Sequence, residues 1–329
     1  MFHGFAHVWT IVGASDMLRA RPLGLRVAGE RLVLFRDGAG VARALVDRCP
    51  HRGVQLSLGR VVDGCLECPF HGWRFAGDGA NCKVPWDPDA RRERLGATPV
   101  PVRELGGLLW LYTAPGGEAP GEPEVPELLL RAGVRVCSFA VTWQTHWTRA
   151  MENMLDWPHL PFVHRRTIGK NLPYGGGTRM DIAWDERSWG GRTTISVDGA
   201  PQEGMLDYRF PNAMQLWLPT GKRLLGFITA CVPVDERTTS MVFVTIRDFM
   251  RPRLFDRLFH LANRKIAEED RAVLESSDPV EVPPPGEERS VRTDGPTLQF
   301  RKIYRERLQG SRAEVPGRLR VLQGDGAGA

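Results

Sequence analysis

Two short stretches, "CPHRG" from Cys49 and "CPFHGW" from Cys68, each place one thiol and one imidazole beside a proline and a glycine, with sixteen residues between His51 and Cys68. Two Cys and two His arranged in two pairs are the makings of a metal site. Zinc knuckles usually space their ligands as C-x2-4-C, whereas here the pairs are C-x-H, Cys49 and His51, and C-x-x-H, Cys68 and His71. A two-iron, two-sulfide cluster, with thiolates on one iron and imidazoles on the other, suits this pattern better. Each loop then gives one ligand to each iron, so that Cys49 and Cys68 share one and His51 and His71 the other. Pro50 and Pro69 would fix φ in two tight loops, and Gly53 and Gly72 would let backbone approach the cluster.

A second set of candidate ligands lies downstream. "ENMLDWPHLPFVH", Glu152 to His164, holds Asn153, Asp156, His159 and His164 within twelve residues. On a continuous α-helix two residues five apart point about 140° from each other, too far to share one metal. Pro158 and Pro161 disrupt regular helix and let His164 swing back toward His159. Two histidines and one carboxylate with open positions are the facial triad used for oxygen chemistry at Fe(II). "AEEDRAVLE" offers Glu268, Glu269 and Asp270 as the carboxylate. The apolar stripe of that segment, through Leu258, Ala262, Ile266 and Val273, puts Glu269 near its centre and Asp270 nearer its edge, and does not decide between them. Two ordinary histidines at a helix end and a solvated acidic face are the plain alternatives.

These residues need elements to carry them. Residues 4–113 read as short strands between turns, with a hairpin in "LRVAGERLVLFRDGAG" joined at Gly29-Glu30 and a strand in "GLLWLY". "APGGEAPGEPEVPE", residues 114–127, is dense in Pro, Gly and Glu and reads as a linker between two domains. A second domain over 128–308 opens with a helical segment around "TWQTHWTRAMENMLDW", continues as a long β-rich stretch from about Asp181 to Phe249, and ends on an amphipathic helix in "RLFDRLFHLANRKIAEEDRAVLESS". A tail, 309–329, has nothing to bury. The composition, 42% hydrophobic and 25% charged, is that of a soluble globular protein, and no apolar run is long enough for a membrane span. The amino-terminal residues lack a signal peptide's basic region and cleavage site, so a cytoplasmic location is expected. The net charge of +5 comes without a Lys/Arg run interleaved with aromatics, which argues against nucleic acid as a partner.

Taken together, the C-x-H and C-x-x-H pairs followed by N-x-x-D-x-x-H-x4-H resemble the α subunit of Rieske non-haem iron oxygenases. The resemblance covers most of the chain before the tail. It implies an α+β architecture: an all-β Rieske [2Fe-2S] domain, then a helix-grip catalytic domain with a large antiparallel sheet around a mononuclear Fe(II). His159 and His164 match the family's iron histidines, and Asp270 its carboxylate ligand. Asp156 matches a bridging aspartate that joins an iron histidine to a Rieske histidine across a subunit interface, and Asn153 matches a residue near the iron. Respiratory Rieske proteins carry an extra Cys in each cluster loop, but Val54 and Phe70 stand at those places here, so the likeness is to the low-potential oxygenase or ferredoxin type. Cys65 and Cys82 are then expected to be buried free thiols.

By the same resemblance the chain forms a homotrimer and takes electrons from NAD(P)H through a separate reductase, with or without a ferredoxin; it has no G-x-G-x-x-G fingerprint of its own. The implied activity is O2-dependent hydroxylation, demethylation or desaturation of a small, mainly apolar molecule, monooxygenation before ring dihydroxylation. The rival is an electron-transfer or ligand-binding protein without active mononuclear iron. Met214, Trp217 and Phe227 lie on strands that could line a pocket or simply fill core.

Overall fold

The structure is a computed structural model that describes residues 1–309 except 171, 173–176, 203–204 and 285, and the backbone but not the side chains of 219–220. The expected tail from residue 310 onward lies outside the described residues. Five α-helices are used below: α1, Glu127–Leu130; α2, Trp147–Leu155; α3, Leu160–Val163; α4, Asp256–Leu274; and α5, Gly295–Tyr304.

The amino-terminal third is all β, as expected. Strand Trp9–Ala14 pairs with Leu108–Tyr112, and that with Val102–Leu105. A four-stranded sheet is built from Leu23–Val27, Glu30–Arg36, Ala42–Val46 and Pro99–Val100. A second has the very short strands Arg60–Val62, Cys65–Glu67, Arg74–Phe75 and Asn81–Lys83. The first hairpin turns at Ala28-Gly29, one residue earlier than expected, because those two residues take the left-handed φ values of 45° and 84° that a two-residue turn needs.

The rest of the chain wraps an eight-stranded antiparallel sheet, with Arg135–Trp143 at one edge and Met180–Arg187 at the other. The strand Arg135–Trp143 was not foreseen; it takes the beginning of the stretch read as helix, and α2 starts only at Trp147. Central strand Arg223–Pro233, "RLLGFITACVP", is buried nearly throughout rather than at alternate residues, because both faces of the sheet are covered.

Register assigns the two faces. Arg192, Asp207, Gln215, Ile228, Val244 and Ser138 are opposed in turn across six strands and share one face; Tyr208, Met214, Thr229, Phe243 and Phe139 share the other. Helices α4 and α5 lie on the second face, where Phe139 meets His260 of α4 and Tyr208 meets Phe300 of α5. The first face is met by the amino-terminal strand, where the Ser138 hydroxyl accepts from the Ala14 N–H at 2.8 Å, and by α1, whose Leu128 sits against Gly226. Met214 and Phe227 therefore share the helix face, whereas Trp217 lies on the opposite one, so the three cannot line a single pocket.

One hydrophobic core runs from Phe2, Phe5 and Ile11 through the sheet to Trp147, Phe300 and Tyr304, and a smaller one of Val33, Phe35, Leu45, Leu56, Leu66 and Phe75 underlies the Cys49 and Cys68 loops. Each large side chain buried there contributes about 1.5–3 kcal/mol. Arg135 ties the parts together, pairing with Asp16 at 2.9 Å and with Asp256, the first residue of α4, at 2.5 Å.

Two further expectations change. Cys65 and Cys82 are not free thiols: the structure joins them in a disulfide. Their strands flank Arg74–Phe75: Cys65 lies one residue past the pairing of its strand with it, and Cys82 is the unpaired residue of the bulge between Asn81 and Lys83. The inward face of α4 is also not the stripe read from its apolar residues, since Leu258, Ala262 and Val273 are exposed. Asn263, Ala267 and Asp270 face inward instead, which makes Asp270 central and leaves Glu268 exposed beside Arg271.

Candidate metal centres

The Cys49 and Cys68 loops are built alike. In each, the Cys carbonyl accepts from the glycine four residues on (Gly53 at 2.8 Å, Gly72 at 3.1 Å), and the Cys N–H donates to the carbonyl five residues on (Val54 and Trp73, both at 2.8 Å). Gly53 and Gly72 have φ of 72° and 71°, a left-handed conformation that costs any residue with a Cβ about 1–2 kcal/mol. The glycines therefore sit at equal offsets from their cysteines although the histidines do not.

The loops bring Cys49 and Cys68, both buried, within reach of each other, and set the His51 and His71 rings 4.7 Å apart. His51 stacks flat on Trp73 at 4.5 Å, and its Nδ1 is buried with no hydrogen-bond partner. Burial pushes the Cys49 thiol up to about 11, while the His51 and Arg52 N–H groups aimed at its sulfur favour the thiolate. Two paired thiols, two adjacent imidazoles and an orphaned ring nitrogen fit a [2Fe-2S] cluster held by two Cys and two His.

The second set converges from three elements. Helix α2 ends at Leu155, and Asp156 leaves it in extended conformation; Trp157, next to Pro158, is then kept from resuming the helix. A short turn follows, and α3 begins with Pro161 in its first turn, between His159 and His164. The break aims both rings at the inward face of α4. His164 Nε2 lies 3.0 Å and His159 Nε2 3.5 Å from Asp270 Oδ1, and one donor atom from each residue falls within 4.8 Å of the others. Asp270 is 4% exposed, and its Oδ1 has no hydrogen bond of acceptable geometry to either ring. Two ring nitrogens and a buried, uncapped carboxylate oxygen around one point fit a metal ion.

Each ring is fixed by its other nitrogen. His159 Nδ1 lies 3.1 Å from Asp156 Oδ2, which also accepts the His159 backbone N–H at 3.2 Å. His164 Nδ1 lies 2.8 Å from Glu269 Oε2, which in turn accepts from the Thr167 hydroxyl at 2.6 Å. Carboxylates behind both imidazoles are the usual backing of metal-bound histidines. Burial works against a charge on His159, but Asp156 and Asp270 outweigh it and lift the ring to about 9. Burial likewise opposes ionisation of Asp270, yet the two histidines bring it down to about 2. The pocket is thus an electronegative one that a cation would neutralise.

Every predicted ligand is brought into one of the two clusters. Asn153 lies on the last turn of α2 with its amide N–H2 buried and unpaired. The role of Glu269 was missed. Its signal was present, since a carboxylate beside a ligand carboxylate can serve a ligand histidine, but spacing alone had left it a rival of Asp270.

A family model described as the Rieske [2Fe-2S] domain matches residues 8–99, and one described as the vanillate O-demethylase oxygenase C-terminal domain matches residues 200–309. The chain is 35% identical over 258 residues to a 4beta-methylsterol monooxygenase of Methylococcus capsulatus, covering 72% of this chain and 67% of that one. It is 28% identical over 303 residues to the methylxanthine N3-demethylase NdmB of Pseudomonas putida, covering 87% and 82%. A solved NdmB structure superposes with a TM-score of 0.77 at 26% identity, over 93% of this chain and 92% of the other. A chlorophyllide a oxygenase of Chlamydomonas reinhardtii is 38% identical over 149 residues, 44% of this chain, which spans only 22% of that longer protein. The chain belongs to the Rieske non-haem iron oxygenases, whose cofactors are a [2Fe-2S] cluster and a mononuclear iron. No helix among the described residues is long and apolar enough to cross a membrane.

Proposed function

We propose that this protein is the terminal oxygenase component of a multi-part system that hydroxylates, demethylates or desaturates a small, mainly apolar organic molecule. Cys49, His51, Cys68 and His71 hold the cluster; His159, His164 and Asp270 hold the iron. When bound, the cluster supplies single electrons and the iron supplies the position at which O2 chemistry occurs. The chain's own residues fix the geometry: Asp156 and Glu269 orient the two rings, and the break at Pro158 and Pro161 lets both rings face Asp270. Electrons come from NAD(P)H through a separate reductase or ferredoxin. The relatives named as a demethylase and a monooxygenase support a single-oxygen reaction on a methyl-bearing compound.

The observation that carries this reading is the convergence of His159, His164 and Asp270 with a carboxylate behind each histidine. An electron-transfer protein would have no use for a second such pocket. Iron analysis of the purified protein tests it: about three irons per chain are expected, and about two would leave the cluster alone. His159→Ala should lower the count by about one while the visible spectrum of the cluster persists. Simultaneous loss of the cluster spectrum would overturn the separate assignments.

A further inference from the structure

On the sheet face away from α4 and the His159, His164, Asp270 pocket, two neighbouring cavities of about 360 and 280 Å3 share Trp189 and Arg209 as walls. The larger is mostly apolar, with Trp9, Trp110, Tyr112 and Phe210 in its lining. The smaller is basic, lined by Arg131, Arg187, Arg192 and Arg209 against Glu127, with Gln215 and Trp217 at its floor.

Three polar atoms on residues that line the smaller cavity are buried without a hydrogen-bond partner: Arg209 Nε, Trp217 Nε1 and Gln215 Oε1. Gln215 is 4% exposed, and its amide nitrogen is committed to Asp207 at 3.2 Å, which fixes the oxygen as the free end. Asp207 is already engaged by Arg192 at 2.7 and 3.0 Å, and Arg187 is paired with Asp185. Arg209 keeps only a 3.6 Å approach to Asp207 and lies 3.9 Å over the Trp189 ring; Arg131 lies 5.6 Å over Trp217. The Arg209 guanidinium, stacked on an indole and largely buried, is therefore only loosely paired with an anion, while Arg131 stacks on a second indole at the exposed rim. Burial holds Arg209 below the usual guanidinium range in spite of Asp207 and Glu124 nearby. A buried donor or acceptor without a partner costs about 1–3 kcal/mol, so two such donors and one such acceptor around one cavity mark a place where a ligand belongs.

We infer that these cavities form a second ligand site, separate from the iron centre, for a small amphipathic carboxylate with a hydrogen-bond donor on its apolar body. The carboxylate meets Arg209 and Arg131, and the apolar body lies against Trp189 and enters the larger cavity. A hydroxyl on the ligand donates to Gln215 Oε1 and accepts from Trp217 Nε1. Because the walls come from the amino-terminal strand, the 114–127 segment and the catalytic sheet, occupancy would couple all three.

Calorimetric titration of the iron-loaded protein with 4-hydroxyphenylacetate and 3-hydroxydecanoate tests the site. At least one acid should bind, its neutral amide should bind at least about tenfold more weakly, and Arg209→Gln should weaken the acid by a similar factor. The visible spectrum and iron content of the variant should match the parent. Arg131 is exposed at the rim, so Arg131→Gln gives the same reading, with a smaller loss, should Arg209→Gln fail to fold. Binding of equal strength in the parent and both variants would place the acid elsewhere, and no binding of either acid at millimolar concentration would overturn the site. Neither result bears on the iron count that tests the oxygenase reading.

Discussion

A metal-bound histidine gives the metal one nitrogen, and the partner of its second nitrogen settles the ring's orientation and basicity. Here that partner is Glu269 for His164, itself held by the Thr167 hydroxyl. Glu269→Ala should therefore lower iron retention by about 10–100-fold while leaving the cluster intact, and Glu269→Gln, which keeps an acceptor for the ring N–H, should fall between the parent and Ala. Chelator competition followed by iron analysis would show this, and equal retention in the Ala variant would reduce Glu269 to a surface acid. Such residue-scale chemistry was only partly legible in the sequence. Cys49, His51, Cys68 and His71 declare themselves because ligand type and spacing are local, and the Pro158 and Pro161 break is equally local. Glu269 and Asp270 differ by about 100° around a helix axis, so choosing between them requires knowing which way α4 faces. Cys65 and Cys82 posed the same difficulty: whether two thiols meet across an intervening strand depends on register, here on the bulge that leaves Cys82 unpaired.

The elements must hold α2 in place, because Asn153 and Asp156 hang on its end. A charge cluster does part of this: Glu152 of α2 pairs with Arg149 at 3.3 Å and with Arg301 of α5, and Glu288 joins both arginines at 2.7 and 2.6 Å. Glu152, Arg149 and Arg301 are almost wholly buried. Removing one member strands the others, a loss of about 3–5 kcal/mol for a buried pair. Glu152→Ala should thus lower the thermal midpoint by several degrees, whereas Glu152→Leu combined with Arg301→Met should recover much of the loss. Calorimetric or circular-dichroism melting would separate the two, and an additive double variant would show that the charges do not interact. The helix faces were the least legible elements. The outward side of α4 carries Leu258, Leu261 and Val273 at 52–69% exposure, while its inward side carries Asn263 and Asp270. A hydrophobicity pattern points the wrong way wherever the inward face is given over to ligands. The sheet gave the opposite case, since covering on both faces erased the alternation from Arg223–Pro233 but left a β-rich run that was easy to read.

At the scale of the whole molecule, the proposed function requires that electrons pass from the Cys49 and Cys68 loops to the His159 pocket. The groups suited to a bridge face outward: His71 is partly exposed beside the exposed Phe70, and Asp156 keeps about a third of its side chain in solvent. Asp156 uses only Oδ2 on His159, so among the described residues Oδ1 has no partner. Those features support a route in which Asp156 of one copy accepts from His71 of the next, within a closed ring. Asp156→Asn would keep one hydrogen bond but replace a charged double acceptor with an amide. Both metals should stay bound, turnover should fall by about a hundredfold or more, and a prereduced sample given substrate and O2 should reoxidise its cluster slowly. Loss of iron in this variant would make Asp156 a ligand instead. Mixed assemblies decide whether transfer crosses between copies. Cys68→Ser removes the cluster from a chain that keeps its iron pocket, and His159→Ala removes the iron from a chain that keeps its cluster. Each variant alone should be inactive. Coexpressed with distinct tags and purified through both, they should regain a measurable fraction of turnover, because some neighbours then place a working cluster beside a working iron. Mixed assemblies that contain both chains and remain inactive would confine the electron path to a single chain, and the outward-facing Asp156 would then serve only to orient His159.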